Sequence, residues 1–458
     1  MVFSTCFNGY DAGIMTVILA DPQFTKYYAV NATRQGIIAT IPWATTGRVC
    51  SIMYWGPLAS WVGRLWALRI SMSVMIIGVI IQVVPNTYGV LILGRLVTGL
   101  GFGCVYIATN LYVAECAPRS LRGSFVGTVS QFGYQLGTFI AFWSGYGMSL
   151  PHLPLQHRLA RLKPLTRHPR QTTIRHHHRR PRRLEFHELV SSHEYRKNFK
   201  TGYIGLLSSA GMRKRLAYGI YAMALQQFGG IAALTMYAAI IYKSLGWDAG
   251  HQAPLAINGI QAALQLVIVL VNTFTVDRFG RKSLLIAGFS IQSLALLVLS
   301  SLTTAYPITR NRSAGRGGSR HVVYRGTDVV GFLLSSCWSN GPVPPAIASE
   351  IFPQEVRDKG FGLSLLGQTV CLLALTQPWP RFNDEVGGRS YWLLFGLNFV
   401  ALISVILILP ETKAMSLERM DAIFGEVDAV AAGEVEEGEE KEKDVAGHCV
   451  EHKEGGGE

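Results

Sequence analysis

Charged residues are scarce in this chain and unevenly placed. Only 16% of its 458 residues are Asp, Glu, Lys or Arg, whereas soluble domains carry about 25%. Long stretches have no charge at all, and the charged residues collect between them. The length also exceeds what one soluble core normally supports. A soluble globular protein of ordinary composition is therefore excluded.

Signatures of metal binding and of catalysis are also lacking. The seven cysteines have no paired spacing, so we predict no metal site and no disulfide framework. No cofactor is expected. No P-loop, catalytic triad or deaminase signature is present, and the glycines at 99–103 lie in an apolar run with no strand before them. An enzyme is not expected, nor is a nucleic-acid partner.

Apolar segments dominate what is present. A helix needs roughly 20 apolar residues to cross a bilayer, and we predict eleven such spans, many rich in Gly and Ala as closely packed membrane helices are. They lie at about 2–20, 36–59, 67–84, 90–114, 124–148, 216–242, 255–276, 283–304, 329–349, 360–378 and 390–410. The chain is predicted to be an all-α integral membrane protein.

Loop charge predicts the orientation. Lys and Arg cluster after the second and fourth spans of each group and before the 216–242 span, which places those loops in the cytoplasm. The two Asn-X-Ser/Thr sequons, at Asn31 and Asn311, fall in loops on the other side, where glycosylation would occur. Beyond Gly425 the tail has twelve acids against three Lys and is predicted to be disordered and cytoplasmic, as is the N-terminus.

Two motifs occur once in each half of the chain. The first is a basic glycine-arginine turn after the second span. The second places a proline three residues after a glutamate and an arginine four residues after that proline. The matching stretches are 63–68 with 277–285, and 115–123 with 350–360. Two parallel repeats with a binding site at their interface are a transporter plan.

These stretches resemble the signature motifs of the sugar porter family within the major facilitator superfamily. Further matches follow in order at 9–11, 94–103, 226–231 and 410–413, and the resemblance covers about 1–148 and 184–425. It implies the major facilitator fold, with two pseudo-repeated six-helix halves. It also implies secondary active transport of a sugar or related polyol, by proton symport with alternating access, in a monomer of the plasma membrane.

An acid inside an apolar helix is costly and is a candidate functional residue, and Asp11 is such an acid. The resemblance implies that Asp11 binds the driving proton and that Arg95 tunes it. A nearby cation favours the charged carboxylate and burial disfavours it, so their separation would change the affinity for a proton. A static ion pair that locks two helices is the alternative.

Sugar hydroxyls are bound by planar amides beside aromatic rings. The resemblance implies substrate contacts at Gln131, Gln226, Gln227, Tyr237 and Gln265. Polar residues that only join helices are the alternative. Ala232 and Pro345 depart from the family pattern here, which leaves a polyol, a cyclitol or an acid such as quinate open as the substrate.

Charged residues at the repeated turns are predicted to form a network between the halves that closes the cytoplasmic gate. A topology signal alone would explain the arginines but not the repeated glutamates. The members are Arg64, Glu115, Arg122, Asp277, Arg281, Glu350 and Arg357.

Residues 151–183 do not fit this plan. They hold ten Lys and Arg, six His and no acid, where the resemblance places the sixth membrane helix. Without that helix the second half would have to invert, or the basic stretch would have to cross lipid, which its charges forbid. Three interpretations remain open: an intron or frameshift read as coding sequence, a decayed copy, or a basic domain that binds anionic lipid or nucleic acid.

The predicted organisation has four parts. A helical half at 1–148 is followed by the basic, His-rich segment and linker at 149–215, a second half at 216–412 and the acidic tail at 413–458. The expected partners are a small solute, a proton and the lipid bilayer. The rival functions are a transporter-like nutrient sensor, which would signal through its tail, and an inactive gene product.

Overall fold

A computed structural model describes residues 2–45, 62–83, 87–116, 122–149, 203–238, 241, 252–305, 329–331, 335–353 and 356–409. Throughout these ranges the regular structure is helical. Six described stretches are long and apolar enough to cross a membrane: Val2–Leu19, Leu65–Val83, Tyr88–Val113, Leu255–Val276, Arg281–Ala305 and Arg357–Ile408. The predicted all-α membrane fold is confirmed. The predictions for 150–202, for the tail beyond 409 and for Asn311 lie outside the described residues.

The described helices form two groups along the chain, one before and one after residues 150–202. The first half contains α1 (Val2–Leu19), α2 (Pro22–Tyr27), α3 (Ala32–Thr45), α4 (Arg64–Val83), α5 (Tyr88–Cys116) and α6 (Arg122–Ser149). The second contains α7 (Tyr203–Ser208), α8 (Ala210–Phe228), α9 (Ile231–Met236), α10 (Gln252–Phe279), α11 (Arg281–Ala305), a π-helix (Ser336–Asn340), α12 (Val343–Glu350), α13 (Arg357–Thr376), α14 (Trp379–Val386), a 3-10 turn (Gly387–Arg389) and α15 (Ser390–Ile408).

The glycine-arginine turns have the same backbone geometry in both halves. Gly63 has φ +87° and Gly280 has φ +89°, a left-handed conformation that glycine adopts without the penalty of a Cβ. An arginine begins the next helix in each case, α4 or α11. The sequence repeat is therefore also a structural repeat. We call the end of the bundle that holds these two turns the basic end.

Glycines bring α1 and α6 into close contact along their length. Gly9 and Gly13 on α1, and Gly133 and Gly137 on α6, are each four residues apart, as in the Gly-xxx-Gly pattern of membrane helices. A Cβ at Gly9 would collide with the carbonyl group of Tyr134, and one at Gly137 with that of Cys6. Backbone contact of this kind packs α1, which carries Asp11, directly against α6.

The two halves meet through equivalent helices. The fifth long helix of the first half, α6, packs on α10, the second of the second half, and α3 correspondingly packs on α13. Near the basic end an apolar cluster spans both halves: Ile107, Leu111, Met223, Ala348, Phe361 and Leu365. At the opposite end another cluster does the same, and includes Met15, Leu19 and Ile38 with Leu234, Tyr237 and Ile241. Among the described residues, apolar contacts therefore join the two halves towards both ends of the bundle.

Several spans begin or break differently from the prediction. The 216–242 span begins earlier, at Ala210, because the Ser209 hydroxyl accepts a hydrogen bond from the Met212 amide at 3.0 Å and caps the helix. It breaks at Gly230, which has φ +76°. The 329–349 span contains the π-helix, a local distortion that often accompanies functional sites.

Candidate functional site

Asp11 and Arg95 form a buried salt bridge. The Arg95 Nη1 lies 2.8 Å from the Asp11 Oδ2, and the two side chains are 1% and 11% exposed. The Arg95 Nε donates a second hydrogen bond to the Ile38 carbonyl at 3.4 Å. One guanidinium thus joins α1, α3 and α5 inside the first half. The predicted proximity of these two residues is present in the structure.

Predicted amides from the two halves meet at Gly341, just after the π-helix. The Gln226 Nε2 donates to the Gly341 carbonyl at 2.8 Å. A Cβ built at Gly341 would lie 3.1 Å from the carboxamide carbon of Gln131, so glycine allows that side chain its close approach. Gln226 is buried and Gln131 is half-buried. A site between α6 and α8 therefore contains two of the five predicted substrate residues.

Asn340 and Tyr106 join this cluster, although the sequence analysis missed both. The Asn340 Nδ2 donates to the carbonyls of Leu225 and Gln226, at 3.4 and 3.2 Å. Tyr106, from α5, lies beside the Gln226 side chain. The available signal was weak, since Asn340 is one of several polar residues in its span, together with Ser335, Ser336 and Ser339.

The other predicted substrate residues are also buried. Gln227 is 7% exposed, and its Oε1 has no hydrogen-bond partner. Gln265, on α10, is 2% exposed. Tyr237 lies in the apolar cluster opposite the basic end, and its hydroxyl donates to the Thr376 carbonyl at 3.3 Å. Tyr237 thus joins the end of α9 to the end of α13.

Arg281 and Glu350 form the described part of the predicted charge network, with 3.0 Å between the Arg281 Nη2 and the Glu350 Oε1. Both residues belong to the second half, so this pair joins α11 to α12 within that half. The Arg357 Nε donates to the Phe352 carbonyl at 3.2 Å. The side chains of Arg64, Glu115, Arg122 and Asp277 lie outside the described residues.

Arg215 is a further cation at the basic end that the network did not include. Its side chain is fully buried, and its Nη1 donates to the Ile351 carbonyl at 2.8 Å. The bond fastens the start of α8 to the end of α12. From the sequence, Arg215 could not be told apart from its neighbours Arg213 and Lys214, because nothing local shows which of the three side chains turns inward.

A small cavity lies between the two halves, next to the part of α1 that carries Asp11. It is lined by residues of α1, α6 and α9: Ala12, Gly13, Thr16, Tyr134, Thr138, Phe142, Thr235 and Met236. Its volume is about 10 Å³, enough for about one water molecule and far less than a sugar needs. Among the described residues, the contact between the halves therefore leaves no room for a sugar at this cavity.

Comparison with known proteins identifies relatives across nearly the whole chain. The sequence model described as "Sugar (and other) transporter" matches residues 1–152 and 168–424. The match resumes earlier than the predicted residue 184, inside the basic segment. The MFS-type transporter criB of Aspergillus cristatus is 26% identical, over 94% of this chain and 93% of that protein. A probable quinate permease of Aspergillus clavatus is 24% identical, over 92% and 86%.

Solved structures share the fold. The proton:xylose symporter XylE bound to 6-bromo-6-deoxy-D-glucose superposes with a TM-score of 0.68, covering 92% of this chain and 97% of that one, at 17% identity. The fucose:proton symporter FucP of E. coli gives a TM-score of 0.56 at 14% identity, covering 88% and 97%. At these identities the likeness concerns architecture alone.

Proposed function

Since this chain belongs to the sugar (and other) transporter family of the major facilitator superfamily, it is a membrane transporter and not an enzyme, and we propose that it moves a sugar or related polyol together with a proton. The buried Asp11–Arg95 salt bridge carries the proposal. A carboxylate that is paired with one guanidinium inside the membrane can bind a proton in place of that partner. Packing alone would not need a costly ionisable pair at this position. The relatedness of the structure to two proton symporters supports the same mechanism.

Coupling follows from what Asp11 and Arg95 hold together. While Asp11 is charged, the guanidinium ties α1 to α3 and α5. Protonation of Asp11 would remove the ionic attraction and leave Arg95 with the Ile38 carbonyl. Because α1 also lines the cavity between the halves, loosening it changes the packing where the halves meet. Proton binding would in this way bias the rocking between outward-open and inward-open states.

Substrate would bind between the halves at the amides around Gly341. Gln131 from the first half and Gln226 from the second approach the same glycine, so a bound solute would bridge the two halves. Gln227, Gln265 and the aromatic ring of Tyr237 complete the proposed site. Such bridging stabilises a closed, loaded state that can then open on either side.

The basic end is proposed to face the cytoplasm, with both termini on that side. Arg281 and Glu350 would hold the inner gate together with Arg357 and with the predicted partners of the first half. The exposed Asn31 lies beside α3 at the opposite end, which agrees with its proposed glycosylation outside the cell. The four-part organisation, plasma-membrane location and monomeric state belong to this same proposal.

Uptake by purified protein in liposomes tests the function. With the outside one pH unit more acidic, we expect radiolabelled D-xylose or D-glucose to accumulate, and a protonophore to abolish the accumulation. Each pH unit is worth about 1.4 kcal/mol, so one proton per sugar allows about tenfold accumulation. Quinate is the second candidate, because relatives are named probable quinate permeases. Failure to carry D-xylose, D-glucose or myo-inositol would refute a sugar or polyol transporter.

Replacement of Gln226 or Gln227 by Ala should weaken the apparent affinity for the transported sugar. One net hydrogen bond is worth about 0.5–1.5 kcal/mol, so a loss of about twofold to tenfold is expected in competition assays. Gln82 serves as the matched control, because it is a partly buried amide that donates to Thr98 inside the first half. Unchanged affinity in both variants would place the substrate elsewhere.

A further inference from the structure

Asn340 presents a hydrogen-bond acceptor that the protein itself leaves unused. Its side chain is 1% exposed, and its Oδ1 has no partner. The same holds for the Oε1 of Gln226, which is 7% exposed. A buried acceptor without a donor costs about 1–3 kcal/mol. Two such oxygens lie on side chains that flank Gly341, at the contact with Gln131 of the first half.

The hydrogen-bond network determines which end of each amide is free. The Asn340 amide nitrogen already donates to two backbone carbonyls, and the Gln226 amide nitrogen donates to a third. Rotating either amide by 180° would set oxygen against oxygen, so the free atom in both cases is the oxygen. These oxygens accept hydrogen bonds and cannot donate them.

A carboxylate would find no free buried cation in the described part of the chain. The buried cations there are Arg95, Arg215, Arg281 and Arg357. The first and third are salt-bridged to acids, and the other two donate to backbone carbonyls. A carboxylate placed against two amide oxygens would be repelled, whereas hydroxyl groups would satisfy both.

We propose that Asn340 is a specificity residue: its Oδ1, together with the Oε1 of Gln226, accepts hydrogen bonds from two hydroxyl groups of a neutral polyhydroxylated solute and selects such solutes over carboxylates. The inference rests on the proposed transport function and narrows its substrate class. The π-helix provides the position, because it turns Asn340 towards the carbonyls of α8.

The proposed contact between the Asn340 Oδ1 and one sugar hydroxyl is tested by combining the variant Asn340→Ala with single-deoxy sugars. The probes are D-glucose or D-xylose, whichever the wild type carries, and its single-deoxy analogues as competitors. In the wild type, loss of the hydroxyl that meets Asn340 should weaken competition about threefold to tenfold. Asn340→Ala should weaken binding of the parent sugar by the same factor and cancel the penalty at that one position.

Asn398→Ala is the matched control. This buried asparagine also donates to two carbonyls, of Gly229 and Leu394, but its Oδ1 faces the Gly229 backbone instead of the site. The variant Asn398→Ala should leave unchanged the ratio of apparent affinities between the parent sugar and each deoxy analogue. An equal effect of Asn340→Ala on the parent and on all analogues, in a protein that still transports sugar, would overturn the role of Asn340 alone. Absence of any transport by the wild type would instead remove the proposed function.

Selection against acids can be measured on the wild type without any variant. Quinate and its methyl ester have the same ring hydroxyls and differ in the charge of one group. We expect the methyl ester to compete with sugar uptake at least tenfold better than quinate. Equal or better competition by quinate would overturn the neutral-solute selection.

Discussion

Asp11→Asn should abolish accumulation of sugar while leaving sugar exchange between the two sides of the membrane intact. The variant keeps the shape of the side chain and an oxygen for Arg95, so the contact with α5 can persist. It removes the carboxyl group that we propose gains and loses the coupled proton. In liposomes with a difference of one pH unit across the membrane, the wild type can reach an inside-to-outside sugar concentration ratio of about 10. For the variant this ratio should fall to about 1, which means no accumulation.

Asp21→Asn provides the matched control for this change. Asp21 is an exposed acid that caps α2 by accepting a hydrogen bond from the Gln23 amide at 2.9 Å, and Asn is an equally good cap. That variant should accumulate sugar like the wild type. Undiminished uphill uptake by Asp11→Asn would show that the pair is a static link and that another group couples the proton.

Arg95→Leu should cause the largest loss of stability among the changes considered. Removing one member of a buried ion pair leaves a charge without compensation, which costs about 3–5 kcal/mol. Adding Asp11→Asn removes that charge, so the double variant should regain most of the loss. Thermal unfolding of the purified protein in detergent would measure all three variants.

Arg381→Leu is the comparison for an exposed salt bridge. The Arg381 Nε lies 2.9 Å from the Glu385 Oε1, but the side chains are 73% and 63% exposed. Such a pair is worth at most about 1 kcal/mol, so this variant should unfold close to the wild-type temperature. If the double variant were no more stable than Arg95→Leu alone, the guanidinium would act through the Ile38 carbonyl and packing instead of through Asp11.

The chain's membrane nature, its all-α class and its repeat were predictable because each depends on short-range patterns. A span is a run of apolar residues, and the Gly63 and Gly280 turns need glycine for a local reason, a positive φ. Asp11 and Arg95 were predictable as candidates because charge inside an apolar run is rare. The ends of the helices were harder to predict, since a capping residue such as Ser209 extends a helix beyond its apolar part.

Partners of these residues were decided only by the tertiary structure. Arg281 meets Glu350 in its own half, and Arg215 turns inward to the Ile351 carbonyl while neighbouring cations do not. Asn340 was not predicted at all. Its proposed role depends on carbonyls more than a hundred residues away in sequence and on a side-chain oxygen that has no partner. Composition and spacing determine which side chains enter the membrane, whereas packing of distant helices determines which donor meets which acceptor.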